Sequence, residues 1–186
     1  LEWMPGADHD LDDAGAWLLD LQDRFSPDLV HLNGFAHAAL PWLEKSAASP
    51  SIIHISSISA YRASTRAPAY AAVKAAMNSY TGSQAAMLAQ KGIRVNAIAP
   101  VALTRLTEDL GGFQDESLKE KMSPAHIAPL IVYLASDLSK DVTKKAFFVG
   151  GGKISEMRMV RTEGATKADG LWTPNEIANQ IGTILG

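Results

Sequence analysis

Cysteine is absent from the 186 residues. That absence excludes disulfides, thiolate nucleophiles and zinc-thiolate sites together. Neither sign of charge dominates: 17 Lys and Arg stand against 20 Asp and Glu, a net charge of −3, with no block of like sign. A nucleic-acid footprint needs a basic face, so no nucleic-acid partner is expected. Long hydrophobic runs are missing as well. The longest mostly apolar stretch, residues 126–135, is too short to cross a bilayer, and no membrane association is expected. No basic segment followed by an apolar one opens the chain, which makes a cytoplasmic location the expectation. The opening Leu1 points to a start that is not the native beginning of a gene. The histidines His9, His31, His37, His54 and His126 show no paired helical spacing, so no metal site is expected. His54 alternates inside an apolar strand and reads as a packed residue. No G-x-x-x-G-x-G occurs either. Glycines in that pattern let backbone N–H groups and a helix N-terminus reach a pyrophosphate. Gly150-Gly151-Gly152-Lys153 runs on into Ile154 and reads as a turn.

What is present fits one globular domain over residues 1–186, with 47% hydrophobic and 20% charged residues. Leu11, Ala14, Leu18 and Leu21 fall at helical spacing in residues 10–24. Residues 28–32 form a short apolar strand stopped by Asn33-Gly34. Residues 36–48 are weakly helical, with Pro41 breaking them early. Residues 51–57, SIIHISS, are a second strand. A long helix starts near Pro68, with Ala69, Ala72, Val73, Ala76, Met77 and Tyr80 on one face. Gly92 closes it, and residues 94–98 are the next strand. Residues 104–121 are a polar excursion containing Gly111-Gly112. Ser123-Pro124 caps a helix running through IAPLIVYLA, where Pro129 either kinks the helix or delays its start. Residues 146–149 and 154–160 read as strands, the second placing Glu156 and Arg158 on one face and covering either a sheet edge or a partner. Thr173-Pro174-Asn175-Glu176 is a capping box that opens a last helix. Strand and helix alternate, so the fold class is α/β with a mostly parallel sheet.

The sharpest chemical pattern is Tyr70-Ala71-Ala72-Val73-Lys74. Positions i and i+4 share a helix face, so the Lys74 ammonium can sit near the Tyr70 phenol. A free phenol, with a pKa of about 10, is a weak acid-base catalyst at neutral pH. A nearby cation favours its ionised form. Ser57 lies at the C-terminal end of a strand, the edge where open α/β sheets bind ligands. A hydroxyl there could hold a carbonyl while Tyr70 moves its proton. The bare Tyr-x-x-x-Lys pattern is common, and its bland alternative is an exposed tyrosine beside a solvated lysine. Context argues against that. Tyr61 and Tyr80 have Thr65 and Gln84 four residues on, and only Tyr70 has both the lysine and the strand-end serine.

Residues 51–100 resemble the short-chain dehydrogenase/reductase family. Ser57, Tyr70 and Lys74 fall on that family's catalytic serine, tyrosine and lysine. The resemblance implies a Rossmann-like three-layer fold and NAD- or NADP-dependent hydride transfer between an alcohol and a carbonyl. It implies that Lys74 also holds the nicotinamide ribose, beside Tyr70 and Pro100. The family usually has Pro-Gly where this chain has Pro100-Val101. The segments APVALTRLTEDL, MSPAHIAPLIVYLASD, FFVGGGKISEMRMVRTEG and LWTPNEI are similar to the dehydrogenase domain of peroxisomal multifunctional β-oxidation enzymes. By that likeness Leu103 and Thr104 face the nicotinamide amide, and the substrates are 3-hydroxyacyl thioesters. Thr104 reads equally well as a helix cap. In the family the Tyr70 helix forms a subunit interface, which implies a homo-oligomer; small residues at Ala71, Ala72, Ala75 and Ala76 permit close helix approach.

Against that family, the N-terminal Gly-rich βαβ half is missing, so the fold is expected to be a truncated one. The family also has an asparagine on the helix before the serine strand. Asn33 is the nearest candidate, but it reads as a turn residue before Gly34. Twenty-three residues lie between Asn33 and Ser57, too few for the family's intervening helix. Residues 1–43 instead resemble part of the N-terminal domain of GT-B glycosyltransferases, above all PDLVHLNGFAHAALPW, which implies a mosaic joined near residues 43–51. Glu108 and Glu116 are spaced like the paired glutamates of retaining glycosyltransferases, but read better as a solvated acidic stretch. Three readings stay open: a working oxidoreductase, a catalytically incomplete fragment or mosaic domain, and a glycosyltransferase-derived piece.

Overall fold

The computed structural model describes residues 39–46, 49–104, 107 and 116–186. The helix expected at 10–24, the strand at 28–32, Asn33-Gly34, Glu108 and most of the 104–121 excursion lie outside the described residues. Helix α1 is Leu40–Leu43, and strand β1 is Ser51–Ile55. Helix α2, Pro68–Leu88, leads through Gly92 to strand β2, Arg94–Pro100. Helices α3, Glu116–Lys121, and α4, Ala128–Ala135, precede strands β3, Ala146–Gly150, and β4, Lys153–Glu156. Helix α5 is Pro174–Leu185.

The four strands form one sheet in the order β1-β2-β3-β4. The pairs β1-β2 and β2-β3 are parallel, with Ser51 opposite Arg94 and Ala97 opposite Ala146. β4 returns antiparallel on β3, with Gly150 opposite Lys153. Parallel strands need helical crossovers, and these cover both faces. On one face Ile52 and Val95 pack with Ala85 and Leu88 of α2. On the other, Ile53, Ile98 and Val149 pack with Leu130 and Leu134 of α4. Burying Leu88 and Leu134 contributes about 2 kcal/mol each. β2 is the central strand and is buried along nearly all its length. The three-layer, mostly parallel α/β reading therefore holds, as a four-stranded sheet among the described residues. No helix among those residues is long and apolar enough to cross a membrane.

Several local expectations need correction. Within the described part of the helix expected over 36–48, Pro41 sits in the first turn of the short α1, where its missing N–H goes unused. Of the two outcomes open for Pro129, the structure takes the delayed start: Pro124–His126 is a 3₁₀ turn capped by Ser123, and α4 begins at Ala128 with Pro129 in its first turn. β4 ends at Glu156 rather than 160. Met157 N donates to Ala146 O at 2.7 Å, and β3 has no earlier residue to pair. On α2, the face carrying Ala69, Ala72, Val73, Ala76, Met77 and Tyr80 is largely solvent-facing, with Val73 61% and Tyr80 48% exposed. Thr81, Gln84, Ala85 and Leu88 are the buried residues instead.

Candidate active site

β1 delivers the first site residue. The strand stops at Ile55, and Ser56 N still donates to Ile98 O at 2.7 Å. Ser57 then turns the chain. It is the N-cap of the 3₁₀ turn Ile58–Ala60, with its hydroxyl oxygen accepting from Ser59 N at 3.2 Å. That bond uses a lone pair and leaves the hydroxyl proton for a substrate oxygen. The 3₁₀ turn packs on α2, which brings Ser57 and the helix to the same end of the sheet.

Helix α2 opens at Pro68, whose fixed φ suits the first helical turn. Tyr70 follows in that turn and is half exposed. Lys74 lies one turn further on, with its ammonium 5.7 Å from the centre of the Tyr70 ring. The ammonium also donates to Ile55 O at 2.7 Å. A second bond, from the Ser56 hydroxyl to Lys74 O at 3.2 Å, ties the same two segments. The geometry thus joins Tyr70 to Lys74 and anchors Lys74 on the strand end that carries Ser57. Among the hydrogen bonds of the described residues, none joins Ser57 to Tyr70.

The remaining expected positions follow β2. Pro100 ends the strand opposite Val149, and Val101 N donates to Val149 O at 2.9 Å. Leu103 N donates to Met122 O at 2.7 Å. Thr104 is exposed, and its N–H donates to the Thr107 hydroxyl at 2.7 Å. Thr107 in turn donates to Ala102 O at 3.0 Å. Thr107 escaped the sequence reading; threonine three residues after threonine is a turn signal that could have flagged it. A side chain at Gly150 would meet Val101 O at 2.5 Å, so glycine at 150 lets β3 approach the chain leaving β2.

His54 was read as a packed residue, and it is also a hydrogen-bonded one. Its Nδ1 lies 2.7 Å from the Thr81 hydroxyl, and its ring stacks on Tyr80. Burial holds its pKa below the ordinary imidazole value, favouring the neutral ring. Burial likewise holds the Tyr61 phenol above its ordinary value, and that phenol donates to Met157 O at 3.4 Å. Among the described residues, no cluster of three His, Asp or Glu could hold a metal ion.

The groups present fit one half of a nicotinamide dinucleotide. A lysine fixed beside a phenol at the C-terminal end of a parallel sheet suits a ribose and a nicotinamide ring. Groups for the pyrophosphate half, glycine-rich backbone at a helix N-terminus, are not found in this sequence.

Residues 22–153 match the family described as Enoyl-(Acyl carrier protein) reductase. The uncharacterised oxidoreductase YghA of Escherichia coli is 38% identical over 141 residues, covering 71% of this chain and 47% of that protein. The hydroxyacyl-CoA dehydrogenase ChsB1 of Mycobacterium tuberculosis is 32% identical over 58% of this chain and 35% of its own length. A short-chain dehydrogenase from Mycobacterium avium superposes with a TM-score of 0.64 at 33% identity, over 81% of this chain and 50% of that one. The chain spans about half the length of the curated relatives it matches. The family match runs through residues 22–43, the second half of the stretch 1–43 likened to a glycosyltransferase, and gives the mosaic reading no support.

Proposed function

The chain belongs to the short-chain dehydrogenase/reductase family, and from that premise we propose that it carries the proton-transfer half of an NAD- or NADP-dependent oxidoreductase acting on an alcohol/carbonyl pair. The observation that carries this reading is the Lys74 ammonium, held at 2.7 Å on Ile55 O and 5.7 Å from the Tyr70 ring. The nicotinamide, when bound, supplies or accepts the hydride. Lys74 and Tyr70 would hold its ribose, with Pro100, Leu103 and Thr104 beside the nicotinamide ring. The Ser57 hydroxyl donates to the substrate carbonyl oxygen and orients it. The Tyr70 phenol gives its proton to that oxygen in reduction and takes it back in oxidation. The fixed ammonium of Lys74 favours the charge that develops on the phenol oxygen.

For substrate, the likeness to hydroxyacyl-CoA dehydrogenases favours a 3-hydroxyacyl thioester and its 3-oxo product. For assembly, the exposed apolar residues of α2, Val73 and Tyr80 among them, favour a homo-oligomer packed through that helix. The test is nicotinamide absorbance with acetoacetyl-CoA, comparing the chain with Tyr70→Phe. Turnover that collapses in the variant supports the assignment; turnover that survives it removes Tyr70 from the chemistry. Calorimetric titration with NADH and NADPH shows separately whether these residues alone retain a cofactor.

A further inference from the structure

Three consecutive residues at the end of β1 grip α2. Ser56 bonds to Lys74 O, Ile55 O receives the Lys74 ammonium, and His54 reaches Thr81, two turns further along the helix. The last contact has a direction. The Thr81 hydroxyl has one proton, and it lies 2.8 Å from Met77 O, its partner one turn back. A hydroxyl that donates to Met77 O must accept from His54. The His54 proton therefore sits on Nδ1. The Tyr80 ring, 5.5 Å away and inclined by 28°, fixes the imidazole plane, and Gln84 Nε2 holds the Tyr80 hydroxyl at 3.1 Å.

We propose that His54, as the Nδ1–H tautomer donating to Thr81, is a positioning residue that fixes the axial register of α2 on β1 and so sets where Lys74 and Tyr70 stand relative to Ser57. The inference rests on the reading of Tyr70 and Lys74 given above. Ala85 and Leu88 pack the C-terminal half of α2 on the sheet, and the bonds of Lys74 to Ile55 O and Ser56 hold its N-terminal half. Apolar packing is non-directional, and the His54–Thr81 bond adds a directional contact between the two that fixes the rise of the helix along the strand. Neither His54 nor Thr81 needs to touch substrate for this to matter. A displacement of about 1 Å in a reacting group can cost 100-fold in rate.

The test uses the intact chain and three variants. His54→Leu removes the donor, His54→Asn offers an amide N–H near the place of Nδ1–H, and Thr81→Val removes the acceptor at nearly constant shape. The first readout is spectroscopic and needs no turnover. Long-range ¹H–¹⁵N spectra should show His54 protonated on Nδ1. The Lys74 ε-methylene and Tyr70 ring resonances should move in His54→Leu and Thr81→Val, and return toward the native positions in His54→Asn. The second readout is kinetic: kcat should fall about tenfold in His54→Leu and Thr81→Val with KM within about twofold, and recover in His54→Asn. An Nε2–H tautomer overturns the inference. So do unmoved Lys74 and Tyr70 resonances in Thr81→Val, which keeps the question open to refutation if His54→Leu does not fold. If the resonances behave as expected but no turnover is found, the oxidoreductase reading fails and the positioning role stands.

Discussion

The ammonium of Lys74 donates to the backbone carbonyl of Ile55 at 2.7 Å, two residues ahead of Ser57. A lysine on a helix surface would ordinarily extend into water and sample many rotamers. This one is folded back onto the sheet, so its charge has a fixed place beside the Tyr70 ring. The site is therefore a product of tertiary packing as much as of the Tyr-x-x-x-Lys spacing.

Lys74→Met keeps the length of the side chain and removes the charge. Turnover should fall by about 100-fold or more, the scale of a lost acid-base partner, while the thermal midpoint stays close to native. Lys74→Arg should recover little, because a planar fork cannot reproduce a point donor between Ile55 O and the phenol. Steady-state kinetics with matched melting curves read both outcomes. A Met variant with native kcat would remove Lys74 from the mechanism.

Arg94 is the most heavily engaged buried cation of the described residues. Its guanidinium donates to Leu134 O at 2.8 Å, Ser139 O at 3.1 Å, Ser49 O at 2.9 Å and the hydroxyls of Ser49 and Ser139. It thereby ties the start of β2 to the last turn of α4, whose carbonyls carry the negative end of the helix dipole. Burial lowers its pKa, and the Asp137 carboxylate acts the other way. Arg94→Met removes the guanidinium donors from these carbonyls, although Ser139 O keeps Val142 N at 2.9 Å and Leu134 O keeps the Ser139 hydroxyl at 3.1 Å, and should cost roughly 2 kcal/mol in urea unfolding. Arg94→Lys should restore only part of this, since three donors on one nitrogen cannot span five acceptors.

Gly150→Ala tests the close approach beside β2. The new Cβ would lie 2.5 Å from Val101 O and 3.1 Å from Val101 Cβ. The first contact is with backbone, so no rotamer change relieves it. Destabilisation of about 2 kcal/mol or more is expected, with the Leu103–Thr104 segment displaced. Val101→Gly in the same chain removes the Cβ contact and leaves the carbonyl contact, so it should rescue little. Equilibrium unfolding of the single and double variants decides this.

The proximity of Tyr70 to Lys74 is legible in their i, i+4 spacing, and the structure shows that contact at 5.7 Å; the bond that holds Lys74 on Ile55 O, near the candidate Ser57, is not legible there. Gly92 declares a helix end, because it adopts a φ of 69° there. The buried face of α2 did not declare itself. An alanine-rich helix carries little amphipathic contrast, and its buried polar donors find partners within the helix, Thr81 on Met77 O and Gln84 Nε2 on the Tyr80 hydroxyl, while Gln84 Oε1 is buried without a partner. A hydrophobicity pattern counts such residues as solvent-facing. The alternation in residues 157–160 misled for another reason. Strand formation needs a partner, and β3 ends at Ala146 on that side. Local pattern reports what a segment could do, and the neighbour's length decides how much of it happens.

Helix α5 shows the opposite case, where local chemistry does most of the work. It has twelve residues, short enough to be marginal in water without help at its ends. Thr173 Oγ1 accepts from Glu176 N at 3.3 Å, and Glu176 Oε2 accepts from Thr173 N at 2.8 Å, closing the capping box. The Lys167 ammonium donates to both Glu176 carboxylate oxygens at 2.8 Å. That bond first, and the Thr173 bonds after it, hold the Glu176 carboxyl below the ordinary carboxylate range. A carboxyl lowered in the folded form stabilises the fold at pH values above its unfolded pKa, and that contribution disappears as pH falls through the lowered value. Cα chemical shifts of residues 174–185 should therefore lose helical character in strong acid while the signals of β1 to β3 persist. Glu176→Gln keeps an acceptor for Thr173 N but has no charge for Lys167, so its α5 should be frayed at neutral pH and largely insensitive to acid. An α5 that titrates identically in both proteins would assign the acid response to some group other than Glu176.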